Sequence, residues 1–155
     1  MSILVDILRA HIVPGLTNVE VIPQMTYRGW IAKKSYKMTT PLQSKDFVLD
    51  VYSHEQLLVP YAYDINRMAA SSFESMHGIS PETGLPKSVG WLIIRSYYSA
   101  YYAMHAILRL FGVSCSQFDA NESRAVTDTA RMFSLQNGNT AASGYYKCKY
   151  DVHTS

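Results

Sequence analysis

Trp91-Leu-Ile-Ile-Arg-Ser-Tyr-Tyr-Ser-Ala-Tyr-Tyr-Ala-Met-His-Ala-Ile-Leu-Arg-Leu-Phe111 is the stretch on which the fold turns. It is long enough for about six helical turns and contains no proline or glycine. Gly112 follows as a natural stop. At α-helical pitch, apolar side chains cover most of its circumference, which predicts a buried helix with neighbours on more than one side. Ser96, Ser99, Ala100, Ala103 and Ala106 are small enough to let other helices approach closely. Arg95, His105 and Arg109 interrupt the run, so it does not read as a membrane span.

Upstream, Ser53-His-Glu-Gln56 fits a capping box, and Leu57, Leu58, Tyr61, Ile65, Met68 and Phe73 continue a helical stripe. Pro60 predicts a kink or a later start, and Gly78 a stop. Residues 78–90, punctuated by Pro81, Gly84 and Pro86, read as a loop whose Pro86 could sit in the next helix's first turn. Downstream of Gly112 and a short link, Asp119 or Asn121 caps a further helix through about Phe133, ended by Gln136-Asn-Gly-Asn139. Tyr145 to Tyr150 reads as a short strand or unsettled tail.

The N-terminal third differs. Ile3, Leu4, Ile7 and Leu8 predict a short amphipathic helix that Pro14-Gly15 ends. Val19-Glu-Val-Ile22 and Met25-Thr-Tyr-Arg-Gly-Trp-Ile31 are β-branched and aromatic, and predict strands or extended arms. The expected organisation is a helix and extended or β appendage over 1–52, a helical core over 53–135 and a tail over 136–155. The class is mainly α.

The 155 residues suffice for one domain with a real core, and the formal charge of +2 demands neither nucleic acid nor an acidic membrane. The local basic run is Lys33, Lys34 and Lys37 around Tyr36, the candidate nucleic-acid contact, although such runs more often form a solvated face. Twelve tyrosines, clustered at 97–102 and 145–150, suit packing first and interfaces next, which makes Tyr97, Tyr98, Tyr101 and Tyr102 interface candidates. Cys115 and Cys148 form no metal-ligand pair. With an acidic Asp6 inside the first apolar run and no basic leader, they read as reduced thiols in a cytoplasmic protein.

Ser99-Ala-Tyr-Tyr-Ala-Met-His-Ala106 resembles the signature helix of HEPN domains, with that pattern's Phe position missing. The order long helix, loop, signature helix, further helix matches over roughly residues 54–134. The resemblance implies a small antiparallel helical bundle. It also implies a setting in toxin–antitoxin or prokaryotic defence complexes, beside an ATPase or nucleotidyltransferase. Active members carry an Arg, four to six residues, then a His, and cut RNA without metal across a dimer.

That motif is absent. Arg95 and His105 are about 15 Å apart along a helix and point some 80° apart, so one chain cannot use them together. Arg124 and Arg131 have no His at the required distance. The nearest substitute is reversed: His105 and Arg109 share a face at i and i+4, and the cation beside His105 disfavours its protonated form. A partly buried, hydrogen-bonded His is the plainer reading of that pair. There is no phosphate-binding glycine loop, zinc-spaced His pair or serine elbow, so no metal or cofactor is expected. Asp46, Asp50 and Glu55 read as a solvated face. Residues 136–155 do not read as the last helix of a bundle, which leaves another chain or the N-terminal part to complete it.

The leading expectation is therefore a non-catalytic HEPN-like accessory subunit that works by protein–protein contact, with a homodimer as a possible form and no membrane association. The alternatives are a metal-independent ribonuclease or RNA-binding protein using Arg95, His105 and Arg109, and a regulatory domain that binds a nucleotide-like ligand between helices.

Overall fold

A computed structural model describes residues 11–16, 25–77 and 88–150. Four helices are present among them: α1 (Tyr27–Ala32), α2 (His54–His77), α3 (Val89–Leu110) and α4 (Ala120–Met132). Strands β1 (Tyr36–Lys37) and β2 (Asp50–Val51) form one antiparallel pair, and β3 (Val113–Phe118) and β4 (Gly144–Lys149) form another. The mainly α class holds. The expected helix over the first residues and the Val19–Ile22 strand lie outside the described residues, as does Pro86.

Within the segment expected to be a strand or extended arm, Tyr27–Ala32 is helical. Thr26 adopts an extended backbone, and its Oγ1 accepts the Gly29 N–H at 3.1 Å, satisfying one free donor of the first turn. Trp30 and Ile31 are then carried into the core. A local cap and tertiary burial outweigh a composition that favours strands.

Helix α2 begins beside Ser53, whose carbonyl accepts the Gln56 N–H. It runs through Pro60 without a break, and that proline is buried. Leu57, Leu58, Tyr61, Ala62 and Ile65 pack inward, while no residue of α2 beyond Ile65 is buried. The main core joins these side chains to Val13, Leu16, Tyr27, Trp30, Ile31, Tyr36, Met38, Leu42, Phe118, Val126, Ala130 and Ala141. Residues from the appendage, the helical segment and the tail thus share one apolar cluster.

Helix α3 departs from expectation. Only Ser99, Ala106 and Arg109 are buried along it. Helix α2 lies against one side, with the Ser72 and Ser99 hydroxyls each donating to the other residue's carbonyl. The remaining elements gather at the base of the pair, around the first half of α2. An apolar circumference reports which side chains want cover; it does not say that the same chain supplies it. The described residues therefore hold one antiparallel helix pair with a separate small core at its base.

Gly112 ends α3 at φ +74, and a Cβ there would meet Tyr150 Cβ and Val13 Cγ2 at 3.3 Å. The chain continues as β3, an element not anticipated from sequence, which pairs with β4 from Val113↔Lys149 to Phe118↔Gly144. Of the two expected caps of α4, Asp119 and Asn121, it is Asp119 that caps the helix, in a full capping box with Glu122. Arg28 reaches both carboxylates and Lys34 pairs with Asp128, fastening α1 to α4. No helix among the described residues is long and apolar enough to cross a membrane.

Candidate functional site

The first feature is the outer side of the α2–α3 hairpin. Val89, Ile93, Tyr97, Tyr101, Met104, Ile107 and Phe111 are exposed, Ile93 and Tyr97 by more than 60 % (64 % and 63 %). At 3.6 residues per turn these positions fall within about 120° of one another, opposite the line of Ser99 and Ala106 that meets α2, over a length of about 33 Å. Phe73 and Met76 of α2 and Trp91 of α3 add exposed apolar surface near the far end. Tyr97 stacks on Tyr101 and Tyr98 on Tyr102, the i and i+4 spacing holding the rings in two ordered rows. All four interface candidates lie on this helix, three of them exposed and Tyr102 half-buried.

The candidate chemical groups do not assemble a site. Arg109 is buried, and its Nη1 lies 3.2 Å from the His105 carbonyl and 3.3 Å from His105 Nδ1. Burial and then the Arg109 charge hold His105 below its usual range, so the ring is neutral with Nδ1 as an acceptor. Tyr101 covers one side of the ring, at 4.4 Å between centroids. Among the described residues Arg109 has no carboxylate partner. Arg95 is exposed more than two turns away along α3. Among the described residues the His105 ring is hydrogen-bonded to Arg109 alone, and the neighbouring Tyr101 touches it by ring contact without a hydrogen bond, so no proton-transfer pair is assembled there.

The basic run is likewise dispersed. Tyr36 is 1 % exposed beneath Trp30, and burial pushes its phenol up to about 12. Lys34 is neutralised by Asp128 at 2.8 Å, and Lys33 is exposed at the end of α1. Lys37 stands apart on β1, at the rim of a second feature.

That feature is a cleft of about 720 Å³ between β4 and the segment 45–51, which ends in β2. Its two walls are continuous stretches of chain, residues 45–51 on one side and 146–150 on the other, over a floor of Tyr27, Trp30, Tyr61 and Phe118. Ser44 and Ala142 join the walls at one end through an N–H···O bond of 2.8 Å. Toward the other end Tyr150 is held from behind by His54. Its Nε2 donates to the Pro14 carbonyl at 2.7 Å, which leaves Nδ1 to accept the Tyr150 hydroxyl. Four lysines (37, 45, 147, 149) and two aspartates (46, 50) stand on the walls. Cys148 faces inward, and burial pushes its thiol up, away from the reactive thiolate form. Cys115 is an exposed free thiol on the opposite face of the β3–β4 pair. No cluster of potential metal ligands occurs among the described residues.

The sequence reading passed over Lys147 and Lys149. Their signal was the alternation Tyr145-Tyr-Lys-Cys-Lys-Tyr150, which in a strand puts both lysines on one face and Tyr146, Cys148 and Tyr150 on the other. No family model, no curated protein and no solved structure matches the chain.

Proposed function

We propose that this chain is a non-catalytic accessory subunit that works by protein–protein contact through the α2–α3 hairpin. The observation that carries it is the exposed stripe from Val89 to Phe111 on α3, too long and too apolar for a surface designed to face water. Two antiparallel helices with such a stripe are half of a four-helix bundle, and the partner's helices would complete it. The HEPN-like signature at Ser99–Ala106 supports the same arrangement and a place in a prokaryotic defence or toxin–antitoxin type complex. The isolated His105 and Arg109 speak for binding over cleavage.

Light scattering after size exclusion tests this, together with tandem purification under native conditions. The wild type is expected in an assembly of defined stoichiometry. The combined Ile93→Lys, Tyr97→Lys and Met104→Lys variant is expected to be a folded monomer. A wild type that is a soluble monomer without any retained partner overturns the proposal.

A further inference from the structure

The cleft lies apart from the exposed stripe of α3 and is bounded by an unpaired strand edge. The bond from the Tyr150 N–H to the Gly112 carbonyl at 2.7 Å sets the parity of the β3–β4 ladder. With the register continuing through Ser114↔Cys148 and Ser116↔Tyr146, those are the hydrogen-bonded pairs. The N–H and C=O groups of Lys147 and Lys149 therefore point away from β3, toward the outer edge, and among the described residues no backbone group bonds to them. The wall opposite ends in β2, which pairs with β1 on its other side. The Ser44–Ala142 bond, the Phe47–Tyr146 ring contact at 5.2 Å and the His54–Tyr150 bond occur in the same order along both walls, so the two stretches run in parallel. Two small sheets thus face each other edge to edge across a slot.

We propose that an extended acidic segment of a partner protein enters this slot and adds to β4 as a strand. Main-chain bonds to Lys147 and Lys149 supply the pairing, as in other strand-addition complexes. Residues of the incoming strand opposite Lys147 and Lys149 point to the same outer face as those lysines, where a carboxylate is favoured. Residues between them point to the floor of Tyr27, Trp30 and Tyr61, where an apolar side chain fits. The aspartates of the far wall do not cancel this preference. Asp50 accepts a bond from Thr39 and faces Lys37 across the β1–β2 pair, and the lining as a whole carries four lysines against two aspartates. Lys147 and Lys149 have no carboxylate within reach among the described residues. The preferred sequence alternates acidic and apolar residues.

The test uses the full chain and a fluorescein-labelled peptide of seven alternating Glu and Val residues, read by polarisation and by amide hydrogen exchange. Saturable binding is expected, with slowed exchange at the Lys147 and Lys149 amides. Binding should be about tenfold weaker for the Lys147→Glu/Lys149→Glu variant, whose changes are on exposed side chains. A peptide of the same composition with its Glu and Val residues in separate blocks should bind at least as poorly. Equal binding of both peptides overturns the proposal. So does slow exchange of the two amides in the peptide-free protein, which would mean that the chain fills its own slot. Displacement of the peptide by ATP or polyphosphate without amide protection overturns it in favour of a simple anion site.

Discussion

Ser72 and Ser99 clasp α2 to α3 by donating to each other's backbone carbonyl, at 2.9 and 3.1 Å. The contact sits where the hairpin has already left the main core, since no side chain of α2 beyond Ile65 is buried. Two small side chains let the helix backbones come close, and each hydroxyl satisfies an acceptor on the other helix. Loss of one bond in Ser99→Ala should cost about 1 kcal/mol, and the bulk of Ser99→Leu about 1–3 kcal/mol. Amide exchange will locate the effect. Faster exchange is expected in the outer halves of α2 and α3, with the main core unchanged. A uniform rise across the molecule would show that hairpin and core open as one unit.

The turn from α3 into β3 depends on Gly112. Its φ of +74 is disfavoured for any side chain, and a Cβ would press on Tyr150 and Val13 at 3.3 Å. Gly112→Ala should lower stability by about 1–2 kcal/mol in a urea titration, whereas Gly138→Ala, with the same sign of φ and open space around it, should cost less. Equal costs at the two positions would mean that backbone strain alone, without the Tyr150 contact, sets the effect.

His105 predicts a pH dependence of stability. Burial and the neighbouring Arg109 hold its folded-state pKa below the ordinary value of 6.5. The unfolded chain therefore takes up the proton first as pH falls. The stabilisation is fully present above about pH 6.5 and is lost on descending toward the folded pKa. Thermal midpoints measured from pH 7.5 to 5 should fall for the wild type and fall less for His105→Gln. A direct NMR titration should find the His105 pKa closer to 6.5 in Arg109→Met. An unchanged His105 titration in that variant would leave burial as the sole cause. Arg109→Met should itself be tolerated, because the buried guanidinium has no carboxylate beside it among the described residues and contributes little that a thioether chain of similar length cannot.

The elements that sequence reading located are those held by local signals. The Asp119 cap of α4 and the glycine after α3 depend on groups within a few residues, so they can be read one segment at a time. Strand β3 could not be read that way, because its partner β4 arrives some thirty residues later and its own residues, Val-Ser-Cys-Ser-Gln-Phe, mix weak and strong strand formers. Helix α1 was misread because Trp30 and Ile31 favour strands in isolation. The cleft was invisible for another reason: Lys147 and Lys149 become the open edge only once the register with β3 is set. The four tyrosines of α3 were legible as a group, but not their exposure, which depends on where the rest of the chain goes.

That last point separates two sets of residues that look alike in the sequence. Trp30 and Ile31 lie in the main core at 2 % and 0 % exposure, while Trp91 and Ile93 stand in water at 63 % and 64 %. Replacing a core aromatic by alanine typically costs about 3–5 kcal/mol, while surface changes stay within about 0.5 kcal/mol. Trp30→Ala should therefore lower the denaturation midpoint strongly, its cost being most of a typical domain's margin at the low end of about 5–15 kcal/mol, and Trp91→Ala should leave the midpoint of the isolated chain almost unmoved. In an assembly the second result changes. A side chain that a partner covers contributes to the complex, so the midpoint of Trp91→Ala should separate from wild type as protein concentration rises. Midpoints of Trp91→Ala and Ile93→Ala that track wild type at every concentration, with the partner present, would place the covering contact elsewhere on the hairpin.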